Sequence, residues 1–220
     1  MATDIDSLVR INKEELSKLE KVLGYRFTDL RLLQTAVIHS SYAFEQGLGG
    51  HDNERLEFLG DAVLDLTVGH ILFHQYRTLH EGELSKLRAS LVNEHHLAKM
   101  ARAIELGRFL ALGKGEDASQ GRGKSSILSC AYEAVVGAIF EDGGYLAVAD
   151  FAARFFVPDI EGKKEELLIA DAKSRLQEVL QEKHNEAPTY KIEAEEGPSH
   201  QKLFTVAVCF HDKILGTGQA

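Results

Sequence analysis

The sequence predicts a mainly α protein, in which an all-helical first domain is followed by a small α-β-β-β domain. Two observations predict this architecture. Apolar residues recur with a helical period of about 3.6 from Lys13 to Phe156, and strand-like alternation is missing there. From Asp171 onward, one amphipathic helix is followed by segments that alternate like antiparallel strands.

The elements of the first domain follow from the spacing of its apolar residues. Helices are predicted over Leu16–Leu23, Leu30–His39, Leu56–His74, Leu84–Ile104, Ile127–Phe140 and Leu146–Phe156. Asp29 and Asn53 have the short polar side chains that favour helix N-caps. The pair Gly143-Gly144 is expected to separate the last two helices.

The second domain is predicted to begin after a charged segment that contains Pro158 and Gly162. Its helix is Asp171–His184, and its strands are Tyr190–Ala194, Lys202–Phe210 and Ile214–Thr217. Turns are expected at Glu196-Gly197-Pro198 and His211-Asp212-Lys213. We therefore expect a first domain at 1–157, a linker at 158–169 and a second domain at 170–220.

Composition excludes several classes of protein. The 220 residues contain no apolar run near the ~20 residues that a membrane span needs, and the N-terminal segment lacks the apolar core of a signal peptide. A cytoplasmic location follows as the default. Cys130 and Cys209 are too far apart in sequence to form a zinc or redox motif. The net charge of -9 has the wrong sign for a simple nucleic-acid binder, unless carboxylates hold cations that meet phosphate.

An acidic stripe lies on the segment Asn53–Asp65. On a helix with about 100° per residue, four carboxylates fall within about 80° of one another. They belong to Glu54, Glu57, Asp61 and Asp65. No Lys or Arg shares the stripe to offset a repulsion of about 0.2–0.5 kcal/mol per i,i+4 pair. Two interpretations stay open: a solvated acidic face, or a site where carboxylate oxygens hold a hard divalent cation.

Phe58 falls beside these carboxylates. The opposite face of the same helix is expected to point into a core, and it carries Leu56, Leu59, Val63 and Leu66. Phe58 therefore cannot join that core. It is either an ordinary exposed aromatic residue or a plug for a partner subunit.

A later helix, Ile127–Phe140, offers a matching acidic residue. Its buried side is predicted at Ile127, Ala131, Val135 and Ala138. Glu133 lies opposite, with Cys130 one turn earlier, although a lone glutamate is usually just solvated. Ala134 and Gly137 on neighbouring turns are small enough for another helix to approach closely.

Several segments together resemble the ribonuclease III family. The segment Asn53–Leu64, NERLEFLGDAVL, is similar to that family's signature almost letter for letter, and it is long and chemically mixed enough to be specific. Ala36–Tyr42, Glu81–Val92 and Ser126–Gly144 resemble an early helix, the segment after the signature and the second acidic motif. Residues 171–220 resemble a double-stranded RNA-binding domain, so the similarity covers nearly the whole chain.

The resemblance implies an endoribonuclease that hydrolyses double-stranded RNA with divalent metal ions and leaves 5′-phosphate and 3′-hydroxyl ends. Mg²⁺ is the expected cofactor, with Mn²⁺ as a substitute. The expected substrates are precursors of ribosomal, messenger and transfer RNA. Glu57, Asp61, Cys130 and Glu133 match metal-ligand positions, and Asp61 and Glu133 also match catalytic ones. Phe58 matches a residue that docks into the partner subunit, which implies a homodimer.

Further residues match positions that face RNA in the family, namely Glu54, Glu81, Gln177, Glu178, Gln181 and His200. The first two match acidic positions that line the RNA-cleaving valley. The others match positions of the RNA-binding domain, where duplex RNA is contacted mainly across its minor groove. From the residues alone, an ordinary surface role explains Gln177, Gln181 and His200 as well as RNA contact does.

The sequence departs from the family pattern in two places. Cys130 stands where the family usually has Asp, and a thiol is a poor ligand for Mg²⁺. Three explanations stay open: a natural variant with water in place of the lost oxygen, an engineered change that weakens cleavage, or a chain that binds RNA without cutting it. The family's second domain also continues past Gly216-Thr217-Gly218 into a lysine-bearing loop and a further helix, so this domain is expected to be incomplete at its C-terminus.

The residues favour the nuclease over two alternatives. Intact Glu57, Asp61 and Glu133 argue against a double-stranded RNA-binding regulator disabled by Cys130. The α-β-β-β pattern argues against an acidic helical interaction protein with no RNA role. No nucleotide cofactor is expected, because the chain has Ala118 where a P-loop ending at 123–125 needs glycine. No membrane partner is expected either.

Overall fold

The computed structural model describes residues 4–196, 202–211 and 213–219, with the side chains of all of these except 161–175 and 178. The chain divides into two compact units, Met1–Gly162 and Lys163–Ala220. The first unit is helical. Its helices are α1 Ile5–Ile11, α2 Lys13–Leu23, α3 Leu30–Ala36, α4 Ser40–Gln46, α5 Glu54–Gln75, α6 Glu81–Val92, α7 Glu94–Ala103, α8 Lys114–Ala118 and the first part of α9 Ser125–His184. Short 3₁₀ helices lie at Leu106–Phe109 and Gly121–Gly123.

The long helices follow the predicted periodicity, but their ends are set by tertiary contacts. The helix predicted over Leu30–His39 ends at Ala36, because Ile38 pairs with Ala111 in an isolated β-bridge. The helix predicted over Leu84–Ile104 is split at Asn93, whose backbone is extended and whose side chain caps α7. The short helices α1, α4 and α8 are missing from the prediction, since so few residues show no clear period.

Two of the three predicted helix boundaries have the expected chemistry. Asp29 caps α3, because its carboxylate accepts a hydrogen bond from the Arg31 N–H at 2.9 Å. Asn53 stands at the N-cap of α5, as predicted, but its side chain makes no capping hydrogen bond. Asp52 accepts from the Glu54 N–H instead, at 3.2 Å. The predicted break at Gly143-Gly144 is confirmed by a non-helical Gly144, whose φ of 70° suits a residue without a Cβ.

The first part of α9 lies at the centre of the first unit. The side predicted to be buried is buried at Ile127, Ala131, Val135 and Ala138. Burial extends around the helix to Tyr132, whose ring lies 6.0 Å from that of Phe151 and 6.4 Å from that of Phe156. Truncating an enclosed aromatic residue typically costs about 3–5 kcal/mol. Residues on this helix are therefore held in fixed positions.

The second unit contains the predicted antiparallel strands. Its sheet has the order β1-β2-β3, with β1 Thr189–Glu196, β2 Leu203–Phe210 and β3 Lys213–Gln219. Tyr190 pairs with Val208, and Val208 pairs with Gly216. Leu180 on the last part of α9 is buried, as is Ala207 of β2. The α-β-β-β order is confirmed for the described residues, while the predicted turn residues 197–198 and 212 lie outside them.

The predicted linker is helical. Residues 158–169 lie inside α9, which includes Pro158, and the two units divide after Gly162 within this segment. The domain limits of 1–157 and 170–220 stay predictions. No helix in the described part of the chain has the length and apolar content that crossing a membrane requires.

Candidate functional site

Two glycines allow α5 and α9 to cross at close distance. A Cβ on Gly60 of α5 would overlap the backbone oxygen of Glu133 in α9. A Cβ on Gly137 of α9 would likewise overlap the backbone oxygen of Leu56 in α5. Any side chain at these positions would push the two backbones apart, so the close helix approach predicted from Gly137 is confirmed. The crossing brings the acidic stripe of α5 to Glu133.

Three of the four predicted metal ligands meet at this crossing. The ligand atoms of Glu57, Cys130 and Glu133 all lie within 4.8 Å of one another, and each side chain is half-buried. We call these residues the crossing cluster. Asp61, one turn after Glu57 on α5, is exposed and does not belong to the cluster, but its charge acts on Glu133.

Glu133 holds its proton more tightly than an ordinary glutamate does. Burial, followed by the negative charges of Asp61 and Glu57, raises the pKa of Glu133 from 4.5 to about 7. Each of these causes disfavours the ionised form. A divalent cation among these carboxylates would reverse the effect, because it would offset the repulsion and favour ionisation.

Without divalent cations, the free energy of unfolding should fall as the pH rises from about 4.5 to about 7, the window set by the raised pKa of Glu133. Below this window Glu133 is protonated in both the folded and the unfolded chain, so it does not lower the free energy of unfolding. Above the window Glu133 is ionised in both states, and the full cost of holding its charge in the folded protein is present. In chelator, Glu133→Gln should therefore melt at a higher temperature than wild type at pH 8 but not near pH 4.5. Equal melting temperatures at both pH values would contradict the raised pKa.

Cys130 contributes no charge to the crossing cluster. Burial, a hydrogen bond to Glu57, and the charges of Glu57 and Glu133 raise the pKa of its thiol to about 12. The thiol is therefore neutral at physiological pH. A hard cation such as Mg²⁺ prefers oxygen ligands. The two carboxylates of the crossing cluster suit a divalent cation, whereas the neutral thiol of Cys130 does not.

The carboxylates border the buried face of α5, which corrects the predicted geometry. Val63 is buried as expected, but Leu66 is 61% exposed, so the prediction that it points into the core is wrong. The buried face contains Gly60, Val63, Leu64, Thr67, Val68 and Leu72. The physical reason is that the close contact at Gly60 turns this side of α5 toward α9. Glu57 consequently lies at the edge of the packed surface rather than opposite it.

Phe58 points away from the core of its own chain, as predicted, and is 81% exposed. It lines a hollow of about 860 Å³ together with apolar residues and with Glu54, the first residue of α5. The apolar residues of the hollow are Ile5, Leu32, Leu56 and Leu59. An exposed aromatic side chain beside an apolar hollow is typical of a surface that meets another protein.

Glu54 and Glu81 lie in separate hollows of the first unit. Glu81 begins α6 and accepts a hydrogen bond from the Ser85 hydroxyl at 2.9 Å. Its hollow also contains Asp65, which forms an ion pair with Arg88 of α6 at 3.6 Å. Arg88 therefore offsets one charge of the acidic stripe. Helical angles on α5 alone could not reveal a partner that comes from another helix.

The predicted RNA-facing residues of the second unit are only partly described. Gln177 and Gln181 are exposed, and the Gln181 side chain donates a hydrogen bond to Asn185 Oδ1 at 3.1 Å. The side chain of Glu178 and all of His200 lie outside the described residues. Contact with RNA at these four positions stays a prediction.

Residues 29–160 match the family described as Ribonuclease-III-like, and residues 172–220 match the double-stranded RNA binding motif. The chain belongs to the ribonuclease III family. Ribonuclease 3 of Desulfotalea psychrophila is 64% identical over 220 residues, which cover 100% of this chain and 91% of that protein. Ribonuclease 3 of Oleidesulfovibrio alaskensis is 47% identical over 89% of this chain and 85% of that protein.

A solved structure agrees with this family. The nuclease domain of ribonuclease III from Campylobacter jejuni is 45% identical, with a TM-score of 0.61, and the match covers 68% of this chain and 99% of that one. A ribonuclease III catalytic region followed by a double-stranded RNA-binding motif makes the chain an endoribonuclease of double-stranded RNA. The acidic interaction protein without an RNA role is thereby excluded, and the regulator disabled by Cys130 is not favoured.

Proposed function

We propose that this ribonuclease III family member cleaves duplex RNA at a Mg²⁺ centre formed by Glu57, Asp61 and Glu133, with Mn²⁺ as a substitute. The observation that carries the proposal is the convergence of Glu57 and Glu133 from two helices to within 4.8 Å. The raised pKa of Glu133 supports it, because like-charged carboxylates this close call for a counter-ion. Cys130 lines the centre without adding a charge.

The proposed chemistry is hydrolysis of a phosphodiester. A bound divalent cation supplies neutralisation of the phosphate charge and a lowered pKa of the attacking water. Glu57 and Glu133 hold that cation in their ionised forms, and exposed Asp61 adds negative charge and accepts hydrogen bonds from the water. The water oxygen bonds to phosphorus while the bond from phosphorus to the 3′ oxygen breaks. The 3′ oxygen takes up a proton, so products carry 5′-phosphate and 3′-hydroxyl ends.

We further propose that the second unit holds the duplex by its shape, with Gln177, Glu178, Gln181 and His200 entering minor grooves. The exposure of Gln177 and Gln181 supports this. Glu54 and Glu81, at the first residues of α5 and α6, line the path of the duplex across the first unit. The proposed substrates are precursors of ribosomal, messenger and transfer RNA in the cytoplasm.

Cleavage of a long RNA duplex tests the proposed activity. With Mg²⁺, the wild-type protein should give short products, and a chelator should leave the duplex intact. Single-stranded RNA of the same composition should stay uncut. The product ends are checked with an RNA ligase, which should join them without prior phosphorylation. Retarded but uncut duplex in the presence of Mg²⁺ would support the RNA-binding regulator instead.

We propose that the chain acts as a homodimer. Phe58 is 81% exposed and Leu66 is 61% exposed on the same helix, so α5 presents apolar surface that its own chain does not cover. The hollow of about 860 Å³ beside Phe58 offers a place for a partner's apolar side chain. The Campylobacter jejuni nuclease domain, which is 45% identical, has a region involved in dimer formation.

Phe58→Ala should weaken self-association by about 30-fold, because an aromatic residue that fills a partner's pocket typically contributes about 2 kcal/mol. Sedimentation equilibrium gives the dimer dissociation constant. Phe44→Ala is the matched control, since Phe44 on α4 is 88% exposed and lies outside the hollow. If both variants lose the dimer, or if both keep it, Phe58 has no specific role at the interface.

Cys130→Asp should lower the Mg²⁺ concentration that gives half-maximal cleavage by about 10-fold, at the small end of the 10–100-fold effects of groups around metal sites. The substitution replaces a neutral thiol by a charged oxygen donor in the crossing cluster. Cys209→Ser removes the other thiol, which is buried in the second unit, and should leave the Mg²⁺ requirement unchanged. An unchanged requirement for Cys130→Asp would mean that position 130 contributes little to cation binding.

A further inference from the structure

Two histidines on α5, outside the crossing cluster, lie with their ring nitrogens in contact. His70 and His74 are one helical turn apart, and their Nε2 atoms are 2.9 Å from each other. The two rings meet edge to face, with centroids 4.6 Å apart and an angle of 83°. Both side chains are exposed to solvent. Residues i and i+4 share a helix face, so the helix brings these two side chains next to each other.

Tyr145 holds one of the two rings in place. Its hydroxyl oxygen lies 2.6 Å from Nδ1 of His70. Tyr145 directly follows Gly144, whose φ of 70° breaks the helical path of α9, so the break in the fold positions this hydroxyl. Histidines that bind metals generally donate their second ring N–H to a nearby acceptor. When Nδ1–H of His70 donates to Tyr145, the Nε2 lone pair of His70 accepts the hydrogen bond from Nε2–H of His74. A metal ion would take the place of that shared proton once His74 carries its proton on Nδ1.

We propose that His70 and His74 form a binding site for a divalent late transition metal ion, with Ni²⁺ and Cu²⁺ as the chemical class. Metal–imidazole bonds of about 2.0–2.1 Å and an Nε2–Nε2 distance of 2.9 Å correspond to an angle of about 90° at the ion. That is the angle between adjacent ligands in octahedral or square-planar coordination. Imidazole suits these metals, whereas Mg²⁺ prefers oxygen.

Water would supply the remaining ligands of a metal ion bound to His70 and His74. Asp65 lies in the same hollow as His70, but its carboxylate is paired with Arg88 at 3.6 Å. Among the described residues, the group of three metal-binding side chains is the crossing cluster, to which neither histidine belongs. The histidine site is therefore separate from the nuclease centre. Because it requires the helical conformation of α5, metal bound there should also stabilise the fold.

Calorimetric titration of Ni²⁺ into the protein without a histidine tag, with Mg²⁺ in excess to occupy carboxylates, tests the site. Wild type should bind one Ni²⁺ per protomer. His70→Ala and His74→Ala should each bind at least 10-fold more weakly, and Tyr145→Phe should bind a few-fold more weakly. His95→Ala is the matched control, since His95 is an exposed histidine on α7, and it should bind like wild type.

Cys130→Ser separates this site from the crossing cluster, because it should leave Ni²⁺ binding unchanged. Electron paramagnetic resonance with Cu²⁺ gives a second measurement, in which wild type should show two nitrogen ligands, and His70→Ala and His74→Ala should each show one. Far-UV circular dichroism confirms that the exposed substitutions leave the helices intact. Ni²⁺ binding by His70→Ala as tight as that of wild type, or its loss in Cys130→Ser, would overturn the proposal.

Discussion

Glu133→Gln should slow the cleavage of duplex RNA in Mg²⁺ by at least about 100-fold. Glutamine keeps the shape of the side chain but removes the charge that Glu133 would offer to a cation beside Glu57. Groups that merely support metal ligands already change affinity or activity by about 10–100-fold when they are altered. A ligand that reaches the ion itself should have a larger effect. Single-turnover rates at saturating protein measure the chemical step without the contribution of product release.

Two controls keep this result interpretable. Glu14→Gln removes an exposed carboxylate from α2 and should cleave like wild type. Glu133→Gln should still retard a long duplex on a native gel, because residues 172–220 with the double-stranded RNA binding motif are unchanged. A variant that binds and does not cut locates the chemistry in the crossing cluster. Cleavage by Glu133→Gln at a rate near that of wild type would remove Glu133 from the proposed centre.

The positions of the crossing-cluster residues within each helix follow from spacing, whereas their meeting across two helices was expected only from the resemblance to the ribonuclease III family. The helical period alone places Glu57 and Asp61 on one stripe, and it places Glu133 one turn from Cys130. The packing of α5 could not be predicted in this way. Apolar residues occur on more than one side of this helix, so periodicity does not choose between a core face and an interface face. For this reason the prediction that Leu66 points into the core is wrong, since Leu66 is 61% exposed.

Contacts that join distant parts of the chain leave no local pattern. Asp142, just before the break in α9, accepts hydrogen bonds from the Tyr25 hydroxyl at 2.8 Å and from the N–H groups of Thr28 and Asp29 at 2.9 Å. Its partners are more than 110 residues away. The perturbed pKa values of Glu133 and Cys130 have the same origin, because burial and neighbouring charges act on them only after α5 and α9 have packed.

Gly69→Ala and Gly60→Ala are a matched pair on α5 that should have opposite effects on stability. A Cβ on Gly69 would meet the Arg88 side chain at 3.7 Å, which is ordinary contact. Alanine is favoured over glycine inside a helix by up to about 1 kcal/mol, so Gly69→Ala should raise the melting temperature slightly and leave cleavage unchanged. This variant measures the intrinsic helix effect without any change at the helix crossing.

Gly60→Ala should destabilise the protein by about 1–3 kcal/mol, because its Cβ would overlap the backbone oxygen of Glu133 and force α5 and α9 apart. For a chain of this size, the melting temperature should fall by about 2–4 °C per kcal/mol. Cleavage below the melting temperature should fall by about 100-fold, since a shift of about 1 Å between reacting groups has this effect. The loss of activity in a folded variant is decisive, because Gly60 has no side chain and acts only by setting the distance between Glu57 and Glu133. Equal gains in melting temperature for Gly60→Ala and Gly69→Ala would show that the two helices do not approach this closely.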